Sequence, residues 1–197
     1  MTLDLALALS VYAFVTSITP GPNNTMLLAA GANFGFRASI PHMLGVNLGF
    51  GLMLLAVGFG IGSLFTAFPL MHDVLRYGGA AYLVYLAWKI ATASGPDSAG
   101  NSAKPISFLQ ATAFQWVNPK AWIMAIGAMA TYVPAANVFL GVLAVTLVFT
   151  LINAPCIVAW TAMGTGLRRV MGNPLHLRIL NVSLALLLLA SLYPIFA

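Results

Sequence analysis

Acidic side chains are nearly missing from this chain: Asp and Glu together number three among 197 residues. Charge of either sign is scarce, at 6% of residues, where soluble domains carry roughly 25%. Eight basic and three acidic groups cannot cover a water-facing surface. With 61% hydrophobic residues and a mean hydropathy of +0.97, the composition excludes an ordinary soluble domain and indicates an integral membrane protein. Cysteine is limited to Cys156, so no intramolecular disulfide can form, and thiol carriers that exchange a disulfide are excluded. There is no His/Asp cluster, Walker lysine loop, HExxH or nucleophile elbow. Neither an enzyme, a cofactor nor a resident metal is expected. The basic residues stand singly or in pairs, without the stripe that phosphate recognition needs, so no nucleic-acid partner is expected.

What the chain does have is apolar length. A bilayer core of about 30 Å needs roughly 20 residues of helix. Six stretches qualify, at about 3–31, 40–66, 74–93, 106–131, 137–163 and 177–197. The first lacks a basic n-region, carries Asp4 and runs into a polar helix-breaking motif, so it reads as a retained span and not as a signal peptide. Tyr77, Tyr82, Tyr85 and Trp88 on the third suit an interfacial aromatic belt. If the first loop is cytoplasmic, that side holds Arg37, Lys89, Lys104, Arg168, Arg169 and Arg178, against Arg76 alone on the other. The bias of positive residues toward the cytoplasm then predicts both termini outside. The one soluble-looking segment, SGPDSAGNSAKP at 94–105, reads as a cytoplasmic linker. It divides a single membrane domain, 1–197, into three-span halves at 1–93 and 106–197. Three is odd, so the halves must insert with opposite orientation.

Two proline breaks interrupt these spans. One is Thr19-Pro20-Gly21-Pro22-Asn23-Asn24 in the first; the other is Val117-Asn118-Pro119-Lys120 in the fourth, about 97 residues later and half the chain away. Each falls about 20 Å into its span at 1.5 Å per residue, near mid-depth for a tilted helix. Broken helices persist in lipid only where protein or a wet cavity receives the freed backbone groups. Paired breaks in corresponding places of two halves point to a transporter's substrate site. The expected fold is therefore an all-α membrane protein of six transmembrane helices, arranged as two inverted three-helix repeats with broken first and fourth helices.

The chemistry at the breaks follows from the residue types. Pro22 leaves the carbonyl of Ile18 without its helical donor, Pro20 does the same to Thr16, and Pro119 to Gln115. Gly21 permits an unwound turn or close ligand approach. Beyond the first break, Asn23, Asn24 and Thr25 open a half-helix whose N–H groups suit a carboxylate. The freed carbonyls suit an ammonium, and Gln115, Asn118 and Asn23 add carboxamides. Lys120 is the sharpest residue, because an ammonium at mid-bilayer costs about 2.5–3.5 kcal/mol and marks a pathway. It reads either as the partner of a substrate carboxylate or as a structural donor to carbonyls freed at a break. Asn47 lies among Gly45, Gly49 and Gly51, a packing seam first and a cavity wall second. Asn153 and Pro155 break the fifth span and either line the cavity or form an ordinary kink. His42, beside Pro41, reads as an interfacial histidine or a proton relay. Cys156 reads as inert packing, and the methionines as lipid-facing or gap-filling.

Several blocks together resemble the LysE/RhtB superfamily of bacterial amino-acid exporters along essentially the whole chain. They are TPGPNN at 19–24, GFRAS at 35–39, LGVNLGF at 44–50, GGAAYLVYLAWKIATA at 78–93, KPISF at 104–108 and QWVNPKAW at 115–122. The GFR-S, LG--LGF, AWKIAT and KPISF blocks look most like the cysteine/O-acetylserine exporter branch. The resemblance implies a bacterial inner-membrane exporter driven by the proton motive force, with Thr19, Pro20, Gly21, Pro22, Asn118 and Lys120 at its site. Many relatives carry an acidic residue where this chain has Phe50, so a coupled proton would titrate Lys120, His42 or the substrate itself. The implied partners are a small amino acid, protons and membrane lipid, and a homo-oligomer is compatible with the chain. The residues alone leave two other readings open, a non-transporting membrane assembly subunit and a metal or inorganic-ion exporter.

Overall fold

A computed structural model of the chain describes residues 2–61, 69–93, 105–170 and 174–193, with backbone alone at 69–76, 170 and 174. Among these residues there are eight α-helices and no strand. They are α1 (Leu3–Ile18), α2 (Pro22–Phe34), α3 (Ile40–Gly58), α4 (Pro69–Ala91), α5 (Phe108–Gln115), α6 (Pro119–Tyr132), α7 (Val138–Val170) and α8 (Pro174–Ala190). Residues 94–104 of the expected linker, the tail of the second span at 62–66 and the end of the sixth at 194–197 lie outside the described residues, as do the side chains of Arg76 and Lys104.

Local chemistry accounts for the helix boundaries around both breaks. Thr2 caps α1 by accepting from the Leu5 N–H. α1 ends where Pro20 and Pro22 withdraw their N–H groups, and α2 restarts with Pro22 in its first turn, bent 55° from α1. Gly35, at φ 82°, closes α2 in the left-handed region that favours glycine. Ser107 and Gln110 form a reciprocal capping box at the start of α5. α5 then tightens into three-residue turns, with Val117 N–H donating to Phe114 and Asn118 N–H to Gln115, because Pro119 cannot continue the ladder. The fifth span differs from expectation: α7 runs through Pro155 without interruption, so Asn153 and Pro155 do not break it. Neighbouring helices re-satisfy or shield freed backbone groups at such prolines.

Among the described residues three apolar clusters hold the bundle, a small one around Leu27, Val46 and Ile157 and two larger ones. One of the larger two joins Leu9 and Ala13 of α1, Phe50 and Met53 of α3, Ala121 and Ala125 of α6, and Val145 and Phe149 of α7. The other joins Met26 of α2, Leu83 and Leu86 of α4, Phe114 of α5, and Leu184 and Leu188 of α8. Small residues bring the backbones together, as glycine seams do in lipid. A Cβ on Gly49 would stand 2.7 Å from the Thr112 backbone, and one on Gly45 or Gly31 would meet the carbonyl of Phe108 or Thr161. The seam predicted around Asn47 is thus a contact of α3 with α5, while Gly51 faces Thr150 of α7. Two pairs of contacts correspond between the halves: α3 lies on α5 as α7 lies on α1, and α2 lies on α7 as α6 lies on α3.

The outside of the bundle is apolar. Leu44, Leu48 and Leu52 on α3 and Leu3, Leu7 and Val11 on α1 form exposed stripes at helical spacing. Large exposed apolar patches of this kind suit lipid and not water. Two continuous segments, Arg37–Gly58 and Ala135–Arg169, are long and apolar enough to cross a membrane, and the bent pair α1–α2 makes a third. α8, with 17 residues, is shorter than the usual span, and the expected fourth span is the separate pieces α5 and α6. Tyr77, Tyr85 and Trp88 of α4 are exposed, while Tyr82 turns inward to Phe114. Buried methionines at 26, 43, 53, 124 and 129 fill the core.

Candidate functional site

Every carbonyl opened by the first break is received by a named donor. The Thr19 hydroxyl donates to Thr16 O at 2.9 Å, and the Asn24 carboxamide to Ser17 O at 2.7 Å and Thr19 O at 2.8 Å. The indole of Trp160, on α7, donates to Ile18 O at 3.1 Å. Thr25 N–H returns to Gly21 O, restarting the helix. Such complete satisfaction is what an apolar surround demands, since each orphaned group costs about 1–3 kcal/mol. The break is a built element.

The second break reaches across to the first in two places. The Asn23 and Gln115 carboxamides pair reciprocally at 2.8 Å and 3.3 Å, with Gln115 also donating to Ala111 O. The Lys120 ammonium donates to Thr19 O at 2.8 Å, Thr19 Oγ1 at 2.9 Å and Pro20 O at 3.2 Å. All three of its protons are engaged, and charge-assisted bonds worth about 1.5–3 kcal/mol each readily offset its insertion cost. Of the two roles open to Lys120, donation to freed carbonyls is the one this conformation displays. Gly21 is part of the same fit. Its backbone is fully extended (φ 178°), which any residue could adopt, but a Cβ there would stand 2.7 Å from Lys120 Cδ.

A cavity lies between the breaks, with about 370 Å³ of empty space when its open mouth is included. It has room for about two or three waters. Gly21, Asn23, Asn24, Asn118 and Lys120 line its polar side. Ser17, Val46, Phe50, Met124 and Asn153 line the remainder. Asn118 caps α6 by accepting from the Lys120 N–H at 3.1 Å, and its NH2 group makes no hydrogen bond among the described residues. The N–H groups of Asn23 and Asn24 in the first turn of α2, and of Ala121 in that of α6, likewise have no acceptor among the described residues. Two helix N-termini therefore begin at one cavity, each with the partial positive charge of its dipole.

The other predicted residues divide. Thr19, Pro20, Pro22 and Pro119 shape the breaks, and Gln115 stands behind Asn23. Asn153 lines the cavity and donates to Asn47 at 2.9 Å, tying α7 to α3 behind it. His42 is fully buried inside the bundle, and neither ring nitrogen has a partner among the described residues; it does not line the cavity. Cys156 is buried and donates to Ile152 O, as a packing residue does. No three His, Cys, Asp or Glu side chains gather as a metal site among the described residues. Three features escaped sequence reasoning. Trp160 completes the first break from 142 residues away. Ser17 is signalled only by the Leu9, Ala13, Ser17 stripe. Asn33 and Asn181, 148 residues apart, form a buried reciprocal pair at the end where Gly35 approaches Arg168.

The family model for LysE type translocators matches residues 14–191, a stretch that contains both breaks and the whole cavity. The chain belongs to the LysE-type translocator family. It is 37% identical, over 198 residues and the full length of both chains, to the cysteine/O-acetylserine efflux protein of Escherichia coli (strain K12). The proteins of that name from Shigella sonnei (strain Ss046) and Shigella flexneri stand at the same identity and coverage. No solved structure matches. As a LysE-type translocator the chain is a membrane transport protein, and its apolar exterior and crossing helices fit that membership.

Proposed function

We propose that this translocator is a secondary active exporter of small amino acids or their derivatives, with cysteine and O-acetylserine as leading substrates, in the bacterial inner membrane. The observation that carries the reading is Lys120, whose ammonium lies on the Thr19 and Pro20 carbonyls across a cavity bounded by two helix N-termini. A zwitterionic amino acid presents the same ammonium, together with a carboxylate that α2, α6 and the Asn118 NH2 group suit. On binding, the substrate ammonium takes the carbonyl cradle and Lys120 turns to the carboxylate. The cradle then always holds one cation, and Lys120 is never left unpaired in a dry site. That exchange replaces a tie between the two breaks with contacts through the substrate, which lets the halves move apart in alternating access. In the empty carrier the tie holds the two breaks together, limiting leak.

The corresponding contact pairs support two inverted repeats, 1–93 and 106–197, and hence six spans with α5–α6 as the broken fourth. Gly35 lies beside Arg168, and Asn33, Phe34, Lys89 and Ala93 border one cleft, so several predicted cytoplasmic groups share an end of the bundle. That favours both termini facing the periplasm. The proton motive force supplies the drive, with Lys120, His42 or the substrate amine as the titrating group. The test is reconstitution of the chain in proteoliposomes with an imposed pH gradient and a panel of radiolabelled small amino acids. Gradient-dependent movement of cysteine or O-acetylserine is expected; movement of none of the panel would overturn the reading.

A further inference from the structure

Leu9, Ala13 and Ser17 form the buried stripe of α1, and Ser17 is its only polar member. Ser17 is 4% exposed, and its hydroxyl oxygen has no hydrogen-bond partner among the described residues. A partner lies close at hand in principle, since Ser10 and Thr16 on the same helix both donate to the carbonyl four residues back. Ser17 forgoes that local bond and lines the cavity instead. It stands one helical turn before Gly21, where the cavity meets the apolar core of Phe50 and Met124. Val46, Phe50 and Met124 make the adjoining wall, so polar recognition is sparse there. Enclosed polar groups are normally satisfied, and one left open in a cavity wall calls for a partner from outside the chain, such as water or a ligand atom.

We propose that the Ser17 hydroxyl is a specificity-determining group, which hydrogen-bonds the polar atom at the end of a short substrate side chain: a hydroxyl, a thiol or an ester oxygen. The wall of Val46, Phe50 and Met124 limits the length of that side chain. This inference rests on the reading that small amino acids bind between the two breaks. A site built around such a bond discriminates against the analogue that lacks it more strongly than an apolar wall discriminates by size.

The experiment compares the full chain, Ser17→Ala and Ser17→Thr in proteoliposomes, with initial rates for two pairs differing in one polar group: serine against alanine, and cysteine against 2-aminobutyrate. Thermal unfolding is followed on the same preparations. Ser17→Ala should lower the polar-to-apolar rate ratio roughly tenfold and melt no lower than the parent, because it removes an unpaired buried hydroxyl. Ser17→Thr should restore most of the ratio. An unchanged ratio overturns the proposal. So does a fall of all rates together with a lowered melting temperature, which would make Ser17 a packing residue. Absence of transport by the parent chain across the whole small-amino-acid panel would overturn the underlying reading, and this one with it.

Discussion

Replacing Gly21 with alanine should loosen the tie between the breaks while leaving the backbone unstrained. At φ 178° and ψ 178° the position accepts a side chain, so any cost comes from contact. The new Cβ would stand 2.7 Å from Lys120 Cδ and 3.2 Å from its Nζ. Carbon atoms prefer about 3.5–4.0 Å, so the lysine stem must retreat by about 1 Å. Bonds of 2.8, 2.9 and 3.2 Å to Thr19 and Pro20 would then pass the useful limit of about 3.2 Å. With charge-assisted bonds worth about 1.5–3 kcal/mol, and water in the cavity recovering part, a net destabilisation of about 1–3 kcal/mol follows. The assay is thermal unfolding of Gly21→Ala, Lys120→Ala and the double variant, with transport measured alongside. If alanine acts through the lysine, its cost should largely disappear in the Lys120→Ala background, a coupling that a double-mutant cycle reads directly. Additive effects of the two substitutions would refute the reasoning.

Other consequences can be checked in the same way. Trp160→Phe keeps an aromatic ring but orphans Ile18 O, so the protein should lose about 1–3 kcal/mol of stability; an unchanged melting curve would show that water replaces the indole. Gly31→Ala would place a methyl group against the Thr161 carbonyl at the tight α2–α7 contact, and folded protein in the membrane should fall sharply; normal yield would count against that packing. His42→Leu exchanges a buried imidazole without partners for an apolar side chain, so the melting temperature should rise, whereas a fall would reveal a polar partner.

The breaks were legible in the sequence because their chemistry is local. Pro20, Pro22 and Pro119 withdraw N–H groups at fixed offsets, so the ends of α1 and α5 and the starts of α2 and α6 could be placed from residue type alone. What receives the freed carbonyls was not legible in the same way. Trp160 lies 142 residues from Ile18, and Gln115 lies 92 from Asn23; no local rule links them. For Lys120 two partners were open, and the choice depends on the approach of α6 to the first break, which is a property of the packed bundle. Pro155 misled because a proline's effect depends on its neighbours: the same residue that ends α1 is carried inside α7. The burial of His42 was not legible either, since a place near the start of a span says nothing about the helices packed over it.

Transport by Lys120→Met tests the central claim most directly. Methionine keeps much of the stem's volume and removes the cation, so protein levels can be matched to those of the parent. With radiolabelled cysteine or O-acetylserine and an imposed pH gradient, inverted membrane vesicles carrying Lys120→Met should accumulate substrate at least about 100-fold more slowly, as expected when a buried charge–carboxylate contact of about 3 kcal/mol is lost. Parent-like accumulation at matched protein levels would contradict the account, leaving Lys120 as a structural donor alone.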